Sequence, residues 1–300
     1  MRKFLIILIG LLFAALPTAS AAIYQQGIIY VIYDEEGEHS VKNKADLNAN
    51  GVPDVIEDIA TQINAARELF KDVFNFPDPL ASSRFKEVTS IEIDILSKES
   101  MNNKTGQALS GFRRQSKHDP NERAARIRIA NTVNPHKTST PEHEYFHLVQ
   151  YASTYFRNKW FLEGMASWSQ DSISAMKEYP DGKNVAQTLE SQAALEEIYQ
   201  KSYGTAKLLW YPLAVSKHDK ATIPSDLMKK YKYVDGSPVF EDNIFYGPNV
   251  MLAVLRELKA NEEVAGANYA SVNQWRKEGQ RDDRNSQIII DCVKNVYNAK

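Results

Sequence analysis

Thr140–Gln150 (TPEHEYFHLVQ), followed by Trp160–Trp168 (WFLEGMASW), is the stretch that decides how this 300-residue chain is read. His143 and His147 are four residues apart, with Glu144 beside the first. On a helix, residues four apart share a face about one turn apart, so both imidazoles reach a single zinc ion. Glu144 then stands where a carboxylate can take a proton from an attacking water. Thr140 as N-cap and Pro141 at the first helical position predict the helix start. Glu163 follows His147 by sixteen residues. That gap lets the first helix finish, turn near Arg157-Asn158-Lys159 and hand over to a second helix running back. Two histidines and one carboxylate leave a fourth position for water, the donor set of a catalytic zinc site. Gly164 and Ala166 are small and would let the two helices approach closely. The plainer alternative is a pair of surface histidines and a surface glutamate.

Upstream of this stretch the pattern is mixed. Ile23–Asp34 (IYQQGIIYVIYD) is rich in β-branched and aromatic residues and predicts a strand or hairpin. Val55, Ile56, Ile59, Ile63, Ala66, Leu69 and Phe70 recur every three or four residues, predicting an amphipathic helix over 53–74. Val88–Leu96 (VTSIEIDIL) and Ala125–Ala130 (ARIRIA) alternate as strands do, and polar Lys98–Glu122 between them reads as loop. ARIRIA is either an ordinary sheet strand or an edge along which an extended peptide aligns, the former reading being preferred. Beyond Thr140 the pattern is helical almost to the end, with the clearest helices over 203–215, 247–260 and 285–297. Strands first and helices afterwards predict an α+β plan in one domain over 22–300, with a sheet half (22–137) and a helical half (138–300).

Composition sets the outer limits. With 43% hydrophobic and 25% charged residues the chain can bury a sizeable core. Lys plus Arg number 36 against 38 Asp plus Glu, so the basic surplus that drives nucleic-acid binding is missing. Cys292 is the single cysteine, so neither an intramolecular disulfide nor a multi-cysteine metal cluster can form, and it reads as a small buried hydrophobe.

Met1-Arg2-Lys3, the apolar run Phe4–Leu16 and the small residues Ala19-Ser20-Ala21 make a secretory signal peptide over 1–21, cleaved after Ala21. Thirteen apolar residues are short for a membrane span, which needs about 20. The expectation is a secreted or periplasmic protein with no stable membrane insertion.

Asp46–Glu57 (DLNANGVPDVIE) fits the twelve-residue calcium loop. Asp46, Asn48, Asn50 and Glu57 would offer side-chain oxygens, Val52 its carbonyl, and Asp54 a contact through water, while Gly51 permits the sharp turn. Two of the inner ligands are asparagines, so little charge is gathered and binding should be weak, in the range of extracellular modules. No helix-like segment precedes the loop, so a structural calcium is expected rather than a full EF-hand. The alternative is an Asx-rich turn capping the helix that starts at Pro53.

HEYFHLVQYA followed by WFLEGMASW resembles the secreted, gluzincin-type zinc metallopeptidases of bacteria, whose pattern is roughly HExxHxxQ then WxxEGxAxWxE. That family typically carries an upstream DxNGNGVPDxxE segment, to which DLNANGVPDVIE is similar, and the resemblance covers roughly residues 23–260. It implies zinc held by His143, His147 and Glu163, with Glu144 as catalytic base. It also implies a zincin-like fold, with an active-site helix under a small sheet and a helical lower half. Gln170 stands where the family has an acidic residue, and the interval from His147 to Glu163 is shorter than in thermolysin-like enzymes. Gluzincins also need a donor for the oxyanion. Tyr203-Gly204 and Tyr246-Gly247 both open later helices, and Tyr246 is preferred because YGPNVMLAVL resembles the family's later YG-helix. His136 reads as a loop histidine, although it could point into the cleft.

The expectation is therefore a zinc peptidase acting on a peptide or protein substrate. Its rival is a catalytically silent binding module of the same fold, for a surface or matrix. The intact motif argues against that rival, since degenerate enzymes usually lose the glutamate or a ligand. A zinc hydrolase acting on another amide would carry the same motif.

Overall fold

The computed structural model describes residues 21–85, 87–110, 114–174, 182–266 and 277–299. All of the expected signal peptide except Ala21 lies outside the described residues.

Ile23–Asp34 folds as the expected hairpin. Strands β1 (Ala22–Gln26) and β2 (Ile29–Tyr33) pair antiparallel around Gly27, whose φ of 65° suits a residue without a Cβ. The chain then crosses over through helix α1 (Asp54–Glu68), extended by a π-helical turn at Leu69–Val73, and returns as β3 (Val88–Leu96), parallel to β2. Short strands β4 (Gly106–Ala108) and β5 (Arg114–Gln115) precede β6 (Arg123–Ala130). β6 lies parallel to β3 and pairs antiparallel with β4 near its C-terminal end and with β5 near its start. The sheet order is β1-β2-β3-β6-β4.

One expectation changes here, and the preferred reading of ARIRIA holds. Lys98–Glu122 is not all loop, because β4 and β5 form within it. ARIRIA is an interior strand with partners on both sides, and β4 is the edge.

Alternation along the strands sorts the two faces of the sheet. Ile91, Ile93, Ile127 and Ile129 are fully buried on the face that carries α1. Ser90, Glu92 and Asp94 occupy the opposite face of β3 and are also buried. Charge there is compensated locally. Arg126 pairs with Glu92, Lys117 Nζ lies 2.7 Å from Asp94, and Ser116 Oγ donates to Glu92 at 2.7 Å. Burial pushes the Glu92 carboxyl up, but the bonds from Ser116, Arg126 and His118 outweigh it and hold the group below its usual range.

Helix α2 (Thr140–Ser153) packs against α1 and β4, and all of its residues are buried. It begins one residue before the expected position, with Ser139 rather than Thr140 at the N-cap. A cluster of rings holds it from below: Phe146, Phe70, Phe76, Trp168 and Phe245, with centroids 4.8–6.4 Å apart in the contacts that join them. Such ring pairs contribute about 0.5–1.5 kcal/mol each beyond burial.

The remainder is mainly helical. It comprises α3 (Lys159–Ser169), α4 (Val185–Glu190), α5 (Gln192–Gln200), α6 (Tyr211–Ser216), α7 (Ser225–Lys230), α8 (Pro248–Ala260), α9 (Glu262–Gly266), α10 (Lys277–Gln280) and α11 (Asn285–Asn298). A small ribbon of β7 (Lys220–Thr222) and β8 (Ile244–Tyr246) lies among them. The helix expected from Tyr203 starts instead as a π-helical turn at Ala206–Trp210, which runs into α6. Cys292 is buried in α11. No helix among the described residues is long and apolar enough to cross a membrane.

Candidate metal centre

Helices α2 and α3 meet where the sequence places its three candidate ligands. His143 Nε2 stands 3.2 Å from Glu163 Oε2, and His147 Nε2 stands 3.5 Å from the same oxygen. One donor atom from each of the three residues lies within 4.8 Å of the others, so the cluster could hold a metal ion. At ligand distances of about 2.0–2.1 Å, donor atoms of a tetrahedral zinc site stand about 3.3–3.4 Å apart. The two separations from Glu163 Oε2 match that tetrahedral edge.

The far side of each imidazole fixes its orientation. His147 Nδ1 donates to Gln150 Oε1 at 2.8 Å, and Gln150 Nε2 donates to the Leu162 carbonyl, which sets the amide. His143 Nδ1 donates to Gln170 Oε1 at 3.2 Å, and Gln170 Nε2 donates to Ser139 Oγ. A neutral imidazole whose proton sits on Nδ1 turns an Nε2 lone pair the other way. Two lone pairs and a carboxylate therefore converge on one point with no donor among them. A cation fits that donor set.

Gln170 thus takes the position where the resembling family has an acid. Sequence reading did not assign Gln150 this role, although its place three residues after His147 is visible in the motif.

Glu144 projects from the same turn of α2 toward the sheet edge. The Ala108 amide of β4 donates to its Oε2 at 2.5 Å. Burial pushes its carboxyl up to about 7, with Glu163 adding to the rise and His143 opposing it. Glu163 behaves differently. Burial raises it too, but when the two imidazoles are protonated, with no cation between them, their hydrogen bonds and charge prevail and hold it well below the usual carboxylate range.

A cleft of about 530 Å³ opens over these groups, floored by Glu144, His147 and Glu163, walled by β4, and closed opposite by Trp160, Tyr199 and Tyr203. Tyr203 stands at its lip, with its ring centroid 5.8 Å from that of His143 and its hydroxyl reaching Glu163. Burial, then the Glu163 and Glu144 charges, raise its phenol above the ordinary value. Tyr246 is elsewhere. Its carbonyl accepts from Trp168 Nε1 at 2.9 Å, and it does not line the cleft. His136 also points away, its Nε2 lying 2.8 Å from Asp58 Oδ2 in a separate cavity of about 480 Å³.

Gly164 serves a different approach from the expected one. A Cβ there would stand 1.9 Å from Thr205 Oγ1 and 2.5 Å from Trp210 Nε1. The missing side chain admits the segment leading to α6, on which Tyr203 is carried.

The candidate calcium loop draws its side chains together. Asp46 accepts from the Asn50 and Gly51 amides at 3.1 and 2.8 Å, while Asn48 Nδ2 and Asn50 Nδ2 each lie 3.0 Å from one Glu57 oxygen. Asn48 and Asn50 also close Asx turns onto the amides two residues on, as the alternative reading expects. Pro53 is nevertheless the N-cap of α1 and makes no side-chain cap bond. Asp54 Oδ1 accepts from the Leu47 amide at 2.9 Å. Gly51 has a φ of 86°, the left-handed turn that the pattern requires.

No protein-family model matches the chain, and comparison with curated proteins and with solved structures finds no significant match.

Proposed function

We propose that this chain is a secreted zinc metallopeptidase of the gluzincin kind, with a zincin-like arrangement of edge strand, metal-site helix and returning helix. The observation that carries the reading is the convergence of two oriented imidazole lone pairs and the Glu163 carboxylate beside a buried Glu144. A bound zinc supplies Lewis acidity, polarising a scissile carbonyl and lowering the pKa of water toward about 7. His143, His147 and Glu163 hold it. Glu144 takes a proton from the attacking water and passes it to the leaving amine. The Ala108 amide keeps its carboxylate at the strand edge. Tyr203, at the lip, donates to the oxyanion as the carbonyl becomes tetrahedral. The loop Asp46–Glu57 binds a structural calcium at the start of α1, a reading supported by the spacing of its oxygen-bearing residues and by the left-handed turn at Gly51. Export rests on the residues of the 1–21 segment.

Metal content by mass spectrometry, with Glu163→Ala in parallel and peptide-library cleavage by Glu144→Gln, tests the reading. The expected result is one zinc per chain, lost or much weakened in Glu163→Ala, and retained without turnover in Glu144→Gln. A folded chain with no zinc, or a Glu144→Gln variant as active as the parent, overturns it.

A further inference from the structure

The cleft carries a charge opposite to that of the chain. The sequence as a whole has a formal charge of −2. Yet the cleft is lined by Lys104, Arg114, Arg157, Lys159 and Arg281 against a single acid, Asp283, beyond Glu144 and Glu163. These cations are unevenly placed. On the His143 side, the adjoining pocket is lined by Lys104 and otherwise by uncharged groups and Glu144. Arg114, Arg157, Lys159 and Arg281 line the cleft on the His147 side alone.

A layered stack runs from His147 toward this basic end. The Tyr151 ring lies 9° from parallel to that of His147, centroids 6.0 Å apart, and the Arg157 guanidinium sits 4.4 Å from the Tyr151 centroid. Arg157 spends its donors on the carbonyls of Tyr151, Thr154 and Phe156. Burial pulls it down to about 10, so it keeps its charge at neutral pH and acts through its field. Arg114, Lys159 and Arg281 line the same cleft and are exposed. Walls of low dielectric concentrate such a field on whatever enters the cleft.

Resting on the peptidase reading, we propose that the His147 half of the cleft is an anion subsite that seats a substrate carboxylate beside the scissile bond. That carboxylate belongs to an acidic side chain or to a free C-terminus. The preferred substrates are peptides carrying negative charge on one side of the cut, and peptides with lysine or arginine there are rejected by like charge.

The test uses the zinc-loaded Glu144→Gln chain, which binds without turning over, and fluorescent peptides of one parent sequence. One carries aspartate with an amidated C-terminus, one is neutral with a free C-terminus, one is neutral and amidated, and one carries lysine and is amidated. Anisotropy at low and high salt gives their affinities. The expected result is about tenfold tighter binding of at least one carboxylate-bearing peptide than of the lysine peptide, shrinking as salt rises. The first two peptides show which carboxylate the subsite takes. The double substitution Arg114→Glu and Arg281→Glu should abolish or invert the preference while leaving the zinc content unchanged. Equal affinity for all four, with the unsubstituted chain still cutting the peptides, overturns the subsite and leaves the peptidase reading standing. Zinc-loaded chain that neither binds nor cuts any of them overturns both.

Discussion

Gly106 lies directly against Glu144: a Cβ built on the glycine would stand 2.4 Å from Oε1 and 2.6 Å from Cγ. The missing side chain at the sheet edge is therefore what lets the carboxylate lie against β4 and accept the Ala108 amide. Because α2 is buried along its whole length, Glu144 has little room to retreat. Gly106→Ala should push the carboxylate away from its amide partner and lower kcat/KM about a hundredfold, since misplacement by about 1 Å is enough for that. Zinc content should stay at the parent level, because the alanine does not touch the ligands. Steady-state kinetics beside metal analysis checks both halves, and unchanged kinetics would show that the contact does not position the base.

The glutamines behind the two imidazoles should matter as much as groups that never touch the ion can. Gln150→Leu removes the acceptor for His147 Nδ1, and Gln170→Leu removes that for His143. Each ring is then free to turn or change tautomer, and zinc affinity should fall about 10–100-fold. Competition with a chromophoric chelator measures this. Gln170→Glu should retain or strengthen binding, because a carboxylate accepts the same hydrogen bond more strongly.

Glu144 makes a prediction about stability in the metal-free protein. Its carboxyl is raised from 4.5 to about 7 by burial, so the folded state holds a proton that the unfolded state releases between those values. The folded state binds more protons across that window, so the group's contribution to stability falls as pH rises from about 4.5 to about 7. Full ionisation costs about 3 kcal/mol at about 1.4 kcal/mol per unit. Glu144→Gln keeps an acceptor for Ala108 but cannot ionise. The metal-free variant should therefore match the parent near pH 5 and exceed it at pH 8. Urea unfolding of both chains in chelator, at the two pH values, reads the difference directly, and a constant offset would contradict the assignment.

Calcium should stabilise the zinc-loaded chain through the Asp46–Glu57 loop. An ion that binds only the folded state raises the melting temperature with concentration, and weak sites of this type respond from about 0.1 to 1 mM. Glu57→Gln removes one of the two oxygens that approach Asn48 and Asn50. The variant should lose the calcium-dependent rise, which thermal melts across a calcium series measure. A rise of equal size in the variant would place the effect elsewhere.

The parts of this site that were legible in the sequence are those written in local spacing. α1, α2, α8 and α11 follow apolar residues at three- and four-residue intervals, and β3 follows strict alternation. The meeting of His143, His147 and Glu163 was legible because two short helices joined by a tight turn leave few ways to return. β4 was not legible. Gly106-Gln107-Ala108 has no β-branched residue, and it is a strand because Ile127 and Ile129 of β6 lie opposite it. Which tyrosine lines the cleft was not legible either. Tyr203 and Tyr246 both precede a glycine, and which of them lines the cleft is set by tertiary packing that local sequence does not spell out.

That difference between two tyrosines supplies the sharpest comparison of variants. Tyr203→Phe removes a phenol whose hydroxyl reaches Glu163, and it leaves the ring that packs near His143. Loss of one oxyanion donor costs about a hundredfold to a thousandfold in kcat. KM and zinc content should hardly move, because the hydroxyl acts on charge that develops only as the carbonyl becomes tetrahedral. Tyr246→Phe should leave kcat near the parent value, since the contact it makes to Trp168 runs through its backbone carbonyl. Kinetics of the two variants on one peptide, read as kcat and KM separately, decides between them. A large loss in Tyr246→Phe with Tyr203→Phe unaffected would move the oxyanion donor to the other side of the helical half.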